Sequence, residues 1–209
     1  MRHTPRSVNV AHGMRAQQCY YPNLIVLSLP IHSATLFVLV NPHYPENVGA
    51  AARAIKTMGF TQLGLVKPSR LAVPEHEMAH RMAVKAWDVL QSARQFATVQ
   101  EAVAGADVLA ATTSRRGVSG VCNARQFAAH AVNMASAQRK IVILFGNEKT
   151  GLPADMVGAL NWRIRIPIAA DQPSINLAQA TQIVAYELFM AALDQRTGES
   201  RHNSPALEP

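Results

Sequence analysis

The chain has 209 residues, 49% hydrophobic and 16% charged, which suits one domain with tails and excludes wholesale disorder. Its formal net charge of +7 favours a polyanionic partner such as RNA, an anionic membrane surface being the other class a basic chain suits. Two cysteines, Cys19 and Cys122, make neither a disulfide framework nor a zinc cluster, and both read as free thiols of a reducing, cytoplasmic compartment.

Residues 1–33 hold Arg2, Arg6 and Arg15 but no acid; the first is Glu46. The apolar run from Leu24 to Ile31 is too short to span a bilayer and contains Pro30. These residues are expected to form an N-terminal arm, disordered or non-native. Thr35 to Asn41 then reads as a buried strand. Asn47 to Phe60 reads as a helix, with Asn47 capping its start and Gly59 ending it. Leu63 to Pro68 is a second strand, and residues 80–90 and 98–106 read as helices. Asp107 to Thr113 is a strand and Ala124 to Ala135 a helix. Lys140 to Gly146 is a strong strand, Trp162 to Ile168 another, and Asn176 to Leu193 a long final helix. Strands alternating with helices imply an α/β fold, a mostly parallel sheet with helices on both faces. The polar tail from Asp194 is expected to be disordered, so the domain is expected to span residues 34–193, between the arm and a tail of residues 194–209.

In such a sheet, ligands gather beyond the carboxyl ends of the strands. Four strand-following loops qualify: Asn41 to Asn47, Thr112 to Gly117, Gly146 to Gly151, and Pro167 to Asn176. The third has the glycine spacing of a P-loop, but Leu152 and Pro153 stand where lysine and a hydroxyl residue must follow. No dinucleotide fingerprint occurs either. In the first loop's helix, Arg53 is a cation suited to a phosphate, or simply a surface arginine. Thr112, Thr113 and Ser114 offer hydroxyls, and Arg115 and Arg116 add charge. Ser174 or Asn176 can cap the last helix, which alone would explain them.

The stretches PENVGAAARAIKTMG, LFGNEKTGL and IPIAADQPSINLAQA, in that order, resemble the three motifs of the SpoU/TrmH group of the SPOUT superfamily, in its TrmJ-like (LasT/YjtD-type) branch. The resemblance covers Thr35 to about Leu193. It implies an RNA ribose 2′-O-methyltransferase acting on tRNA or rRNA, using S-adenosylmethionine, working as a homodimer, and having a C-terminal trefoil knot. It implies that Thr112, Thr113, Ser114, Gly146, Gly151, Ile166, Pro173, Ser174, Ile175 and Leu177 surround the methyl donor. It also implies catalytic roles for Arg53, Asn47, Glu148, Ser174 and Asn176. A guanidinium stays protonated in proteins, so Arg53 is expected to align a phosphate and the hydroxyl and to stabilise alkoxide charge. No metal is required.

Two other readings compete. HEMAH, from His76 to His80, fits the H-E-x-x-H zinc motif, with Glu101 downstream as a third ligand. The motif is short, and Pro74 places its first histidine at a fraying helix start. A non-catalytic RNA-binding module suits the charge, but no aromatic-rich RNA-recognition strand is present.

Overall fold

The computed structural model describes residues 27–169, 171–172 and 174–202. Among them, seven parallel strands form one sheet: β1 (Thr35–Val40), β2 (Leu63–Val66), β3 (Arg94–Phe96), β4 (Val108–Thr112), β5 (Val121–Cys122), β6 (Ile141–Phe145) and β7 (Trp162–Ile164). Their spatial order is β3-β2-β1-β6-β4-β7-β5. Every residue of β1, β2 and β6 is buried, as a parallel strand covered on both faces must be.

The helices are α1 (Pro30–Ala34), α2 (Pro45–Thr57), α3 (Glu77–Met82), α4 (Trp87–Gln91), α5 (Val99–Val103), α6 (Ala124–Ser136), α7 (Ala154–Ala159) and α8 (Leu177–His202). Alternation along β1 sorts them into two layers. Phe37 and Leu39 face a large core built with α2, α3, α4, α6 and α8. Leu36, Val38 and Val40 face a smaller core closed by α5, α7 and Leu152. The expected parallel sheet with helices on both faces is therefore present, with one face covered much more heavily than the other. No described helix is long and apolar enough to cross a membrane.

Four expectations need correction. Pro30–Ala34 is helical, and Leu29 and Ile31 are buried in the larger core. The apolar run read as part of an arm is core material at its end, so the fold begins before residue 34. Residues 1–26 and 203–209 of the expected arm and tail lie outside the described residues. Helix α8 continues to His202, past Asp194: a polar stretch without proline continued a solvated helix and did not end it. The helix expected over residues 80–90 is two, α3 and α4, separated where Lys85 takes a φ of +59°. Finally, Asn47 does not cap α2. Tyr44 holds the cap position, Pro45 the first turn, and the Asn47 side chain is used elsewhere.

Candidate active site

The loops after β4, β6 and β7 converge at the carboxyl edge of the sheet and enclose a cleft of about 220 Å³. Its floor is the ends of three strands, Thr112, Phe145 and Ile164. One wall is the loop from Gly146 to Leu152. The opposite wall is apolar: Ile166, Ile168, Ile175, Leu177 and Ala180. This edge lies where the strand order switches, between β1 on one side and β4 and β7 on the other.

The 146–152 loop is ordered from within. Asn147 Oδ1 accepts from Lys149 N (2.8 Å) and Thr150 N (3.2 Å), and Asn147 O accepts from Gly151 N (2.8 Å). Asn147 Nδ2 donates to Asn41 O (2.6 Å), tying this loop to the one after β1. A Cβ at Gly146 would lie 2.4 Å from Gly151 C and from Leu152 N. Glycine is required here because the loop's own backbone folds against it. Gly151 has a φ of +67° and open space around it; its requirement is conformational. From the facing loop, Arg115 Nη2 donates to Leu152 O (3.0 Å) and Thr150 O (3.2 Å). Arg115 thus latches the β4 loop onto the β6 loop.

Glu148 leaves this loop to meet α2. Its Oε2 accepts from His43 N (2.9 Å); its Oε1 accepts from Tyr44 N (3.3 Å) and Asn47 Nδ2 (2.7 Å). A carboxylate 104 and 105 positions away in sequence thus satisfies the two backbone amides that lead into α2, at the end where the helix dipole favours negative charge. Asn47 Oδ1 in turn accepts from Asn176 Nδ2 (2.9 Å), while Asn176 Oδ1 accepts from Ala178 N (2.9 Å) and caps α8. Asn176, Asn47 and Glu148 form one relay joining the starts of α8 and α2 to the β6 loop. Beside it lies a second hollow of about 360 Å³, lined by Tyr44, Glu46, Asn47 and Asn176 and sharing Glu148, Ser174, Ile175 and Leu177 with the cleft.

Of the residues expected around a methyl donor, Thr112, Thr113, Ser114, Gly146, Gly151, Ile166, Ser174, Ile175 and Leu177 all line the cleft; Pro173 lies outside the described residues. Asn47, Glu148, Ser174 and Asn176 come together around the second hollow. Arg53 does not join them within one chain. It is exposed on α2, lines neither hollow, and its guanidinium has no hydrogen-bond partner among the described residues. Sequence reasoning missed the latch of Arg115 and the cleft contributions of Leu152, Ile168 and Ala180. The i+3 spacing of Leu177 and Ala180 was a usable signal for the last.

Arg163 and Arg165, which flank the apolar wall, are spent on the fold. Arg163 donates to Val157 O (3.0 Å) and Gly158 O (2.8 Å), and Arg165 to Arg115 O. Cys122 is a free thiol, and burial pushes its pKa up, so it is not poised as a nucleophile; Cys19 lies outside the described residues.

The HEMAH segment is structural. His76 caps α3, its Nδ1 accepting from Met78 N (3.1 Å). His80 packs edge-on against Trp87, ring centroids 4.1 Å apart. Ala79 between them abuts Gly49 of α2, where a Cβ would lie 2.0 Å from Ala79 O. Glu101 sits on α5, in the other layer of the fold, where its carboxylate accepts from Ala97 N. No group of three or more His, Cys, Asp or Glu among the described residues is arranged to hold a metal.

Known proteins share this fold. A probable methyltransferase from Bordetella pertussis Tohama I superposes with a TM-score of 0.72 at 34% identity, covering 78% of this chain and 96% of that one. TrmJ from Z. mobilis ZM4 superposes at 0.68 with 39% identity, covering 74% and 68%. The tRNA (cytidine/uridine/adenosine-2′-O-)-methyltransferase TrmJ of Pseudomonas aeruginosa is 35% identical over 158 residues, 75% of this chain; the chain spans 60% of that relative's length. The model of the SpoU rRNA Methylase family matches residues 34–186, and with the three-loop cleft at the switch point the chain belongs to that family.

Proposed function

We propose that this chain is an S-adenosylmethionine-dependent RNA ribose 2′-O-methyltransferase, cytoplasmic, acting on tRNA at cytidine or uridine. The observation that carries the reading is the cleft, in which three loops far apart in sequence meet at one sheet edge. Its residues fit the donor. The aliphatic wall of Ile166, Ile175 and Leu177 suits the faces of a purine, while Thr112, Thr113 and Ser114 offer hydroxyls to a ribose or carboxylate. When bound there, S-adenosylmethionine supplies an electrophilic methyl group. The reading carries with it the trefoil knot that the family resemblance implies for the C-terminal part.

The protein's own contribution is positioning and electrostatics. The Asn176–Asn47–Glu148 relay fixes the start of α2 against the loops of the cleft, and α2 carries Arg53. Because Arg53 is exposed and unpartnered among the described residues of one chain, the reading places it at the site of the other subunit of a homodimer. There a guanidinium aligns a backbone phosphate of the RNA and stabilises charge developing on the attacking 2′-oxygen. It does so protonated, without serving as the base.

The test is methyl transfer from labelled S-adenosylmethionine to unfractionated tRNA, with ribose methylation read by mass spectrometry. Arg53→Ala is expected to lose activity by about a hundredfold or more, the scale of one transition-state donor, while keeping donor affinity and dimerisation. Normal turnover in that variant ends the assignment. A non-catalytic RNA-binding module would bind RNA but not the donor, so donor titration separates the two.

A further inference from the structure

We propose that Tyr44, braced by Lys149 and His43, is the platform on which a base of the substrate RNA stacks at the entrance to the second hollow. The proposal rests on the reading of the protein as an RNA methyltransferase and adds the residue that receives the acceptor strand.

Tyr44 is one of few large apolar side chains left open among the described residues, at 43% exposure, and it lines that hollow. Its backbone is fixed more firmly than that of an ordinary exposed residue. The amide donates to Glu148 Oε1, and the carbonyl accepts from Asn47 N (3.1 Å) and Val48 N (3.4 Å). Pro45 follows and restricts its conformation further. Two neighbours brace the ring. His43 meets it edge to face with centroids 4.7 Å apart, and Lys149 Nζ stands over one face of it, 5.6 Å from the centroid. Lys149 Nζ also lies 3.1 Å from His43 Nε2. Ser69 Oγ donates to His43 O (2.8 Å), holding that end of the loop.

The result is an aromatic ring of set orientation with an ammonium over one face and the opposite face for a base, which is the pairing that single-stranded nucleic acid requires: a π-surface for a base and a cation for a phosphate. Position makes it specific. The hollow shares Glu148, Ser174, Ile175 and Leu177 with the donor cleft. A nucleotide whose base rests on Tyr44 therefore has its ribose at the wall common to both spaces. Tyr44 is a positioning residue, and Lys149 a phosphate contact beside it.

The test uses Tyr44→Ala, Tyr44→Phe, Tyr44→Trp and Lys149→Gln in the full chain. With unfractionated tRNA, Tyr44→Ala is expected to raise KM roughly tenfold or more, the scale of one lost base–aromatic stack, with donor Kd and Tm unchanged. Phe and Trp restore KM. Lys149→Gln weakens binding and lowers its salt dependence. An RNA oligonucleotide carrying 2-aminopurine should be quenched by the wild type and by the Phe and Trp variants, but not by Tyr44→Ala. Equal quenching by Tyr44→Ala, a KM within twofold of wild type, or a loss of donor binding in that variant overturns the proposal. Wild-type protein that binds donor yet methylates no tRNA counts against the functional reading alone, because the quenching measurement decides the stacking by itself.

Discussion

Gly146 and Gly151 bound the same loop but are glycine for different reasons, and replacing each by alanine separates them. At Gly146 the added Cβ would lie 2.4 Å from two backbone atoms, whereas ordinary contact begins at 3.4 Å, so residues 151–152 must retreat by about 1 Å. Backbone cannot rotate out of the way as a side chain can. That retreat strains the Gly151 N to Asn147 O bond and the Arg115 bond to Leu152 O, each worth about 1 kcal/mol. It also loosens Leu152, which is 2% exposed and whose complete burial is worth about 2 kcal/mol. Gly146→Ala should therefore cost about 2–4 kcal/mol and weaken donor binding at least tenfold, because this loop is a wall of the cleft. At Gly151 an added Cβ would meet nothing within 4 Å among the described residues, and only the φ of +67° opposes a side chain. Gly151→Ala should cost about 1–2 kcal/mol and keep donor affinity within a few-fold. Urea unfolding and calorimetric titration of S-adenosylmethionine measure both quantities. An unchanged midpoint in Gly146→Ala, or greater damage in Gly151→Ala, refutes the close-approach argument.

Three further outcomes follow from the same geometry. Glu148→Ala leaves the amides of His43 and Tyr44 and the Asn47 side chain without their acceptor; a stability loss of about 1–3 kcal/mol is expected in urea unfolding, and an unchanged midpoint would show the carboxylate free of a structural role. Arg115→Ala removes the latch to Thr150 and Leu152, so donor Kd should rise several-fold, with Arg115→Lys only partly restoring it because lysine lacks the guanidinium fork; equal Kd values across the three proteins would dismiss the latch. His32 is buried against Phe60 and Phe189. Burial lowers its pKa, an effect the backbone of Met58 and Leu27 only partly offsets, and its Nε2 has no hydrogen-bond partner among the described residues. The unfolded chain then binds more protons than the folded one, so this contribution to stability is full above the ordinary pKa of 6.5 and is lost as pH falls below it. Tm measured between pH 7.5 and 5 should fall more for the wild type than for His32→Phe; parallel curves would rule out His32 as the source.

The sequence reading succeeded where physics is local. Ile141–Phe145 is buried throughout, and a strand covered on both faces has to be an unbroken apolar run. Strands β3 and β5 were invisible because they are three and two residues long and end the sheet on its two sides, where half-exposed positions leave no run to detect. Helix α7 contains Gly158 and spans only six residues, too few for a period to register. The break between α3 and α4 depends on a left-handed Lys85, which no propensity encodes. The cleft residues were legible because they follow strands, and strand ends in a parallel sheet share one edge. Asn47 was misread for the opposite reason. Asparagine before an apolar helix is normally its cap, but here the Asn47 side chain lies inside α2 and donates to Glu148 across 101 positions of sequence, and single-sequence patterns carry no such pairing.

That pairing changes how the site's polar residues divide their work. Glu148 already accepts three N–H donors, and Asn47 and Asn176 spend amide groups on each other and on the helix starts. A substrate hydroxyl brought to Glu148 would have to displace one of those bonds, at the cost of an unsatisfied donor at the start of α2. The relay is therefore suited to holding the Arg53 helix in register with the cleft rather than to moving protons. Loss of the relay should then act on rate through misplacement of a group that it never touches. A small shift of a positioning helix is enough, since displacements near 1 Å can cost a hundredfold in rate.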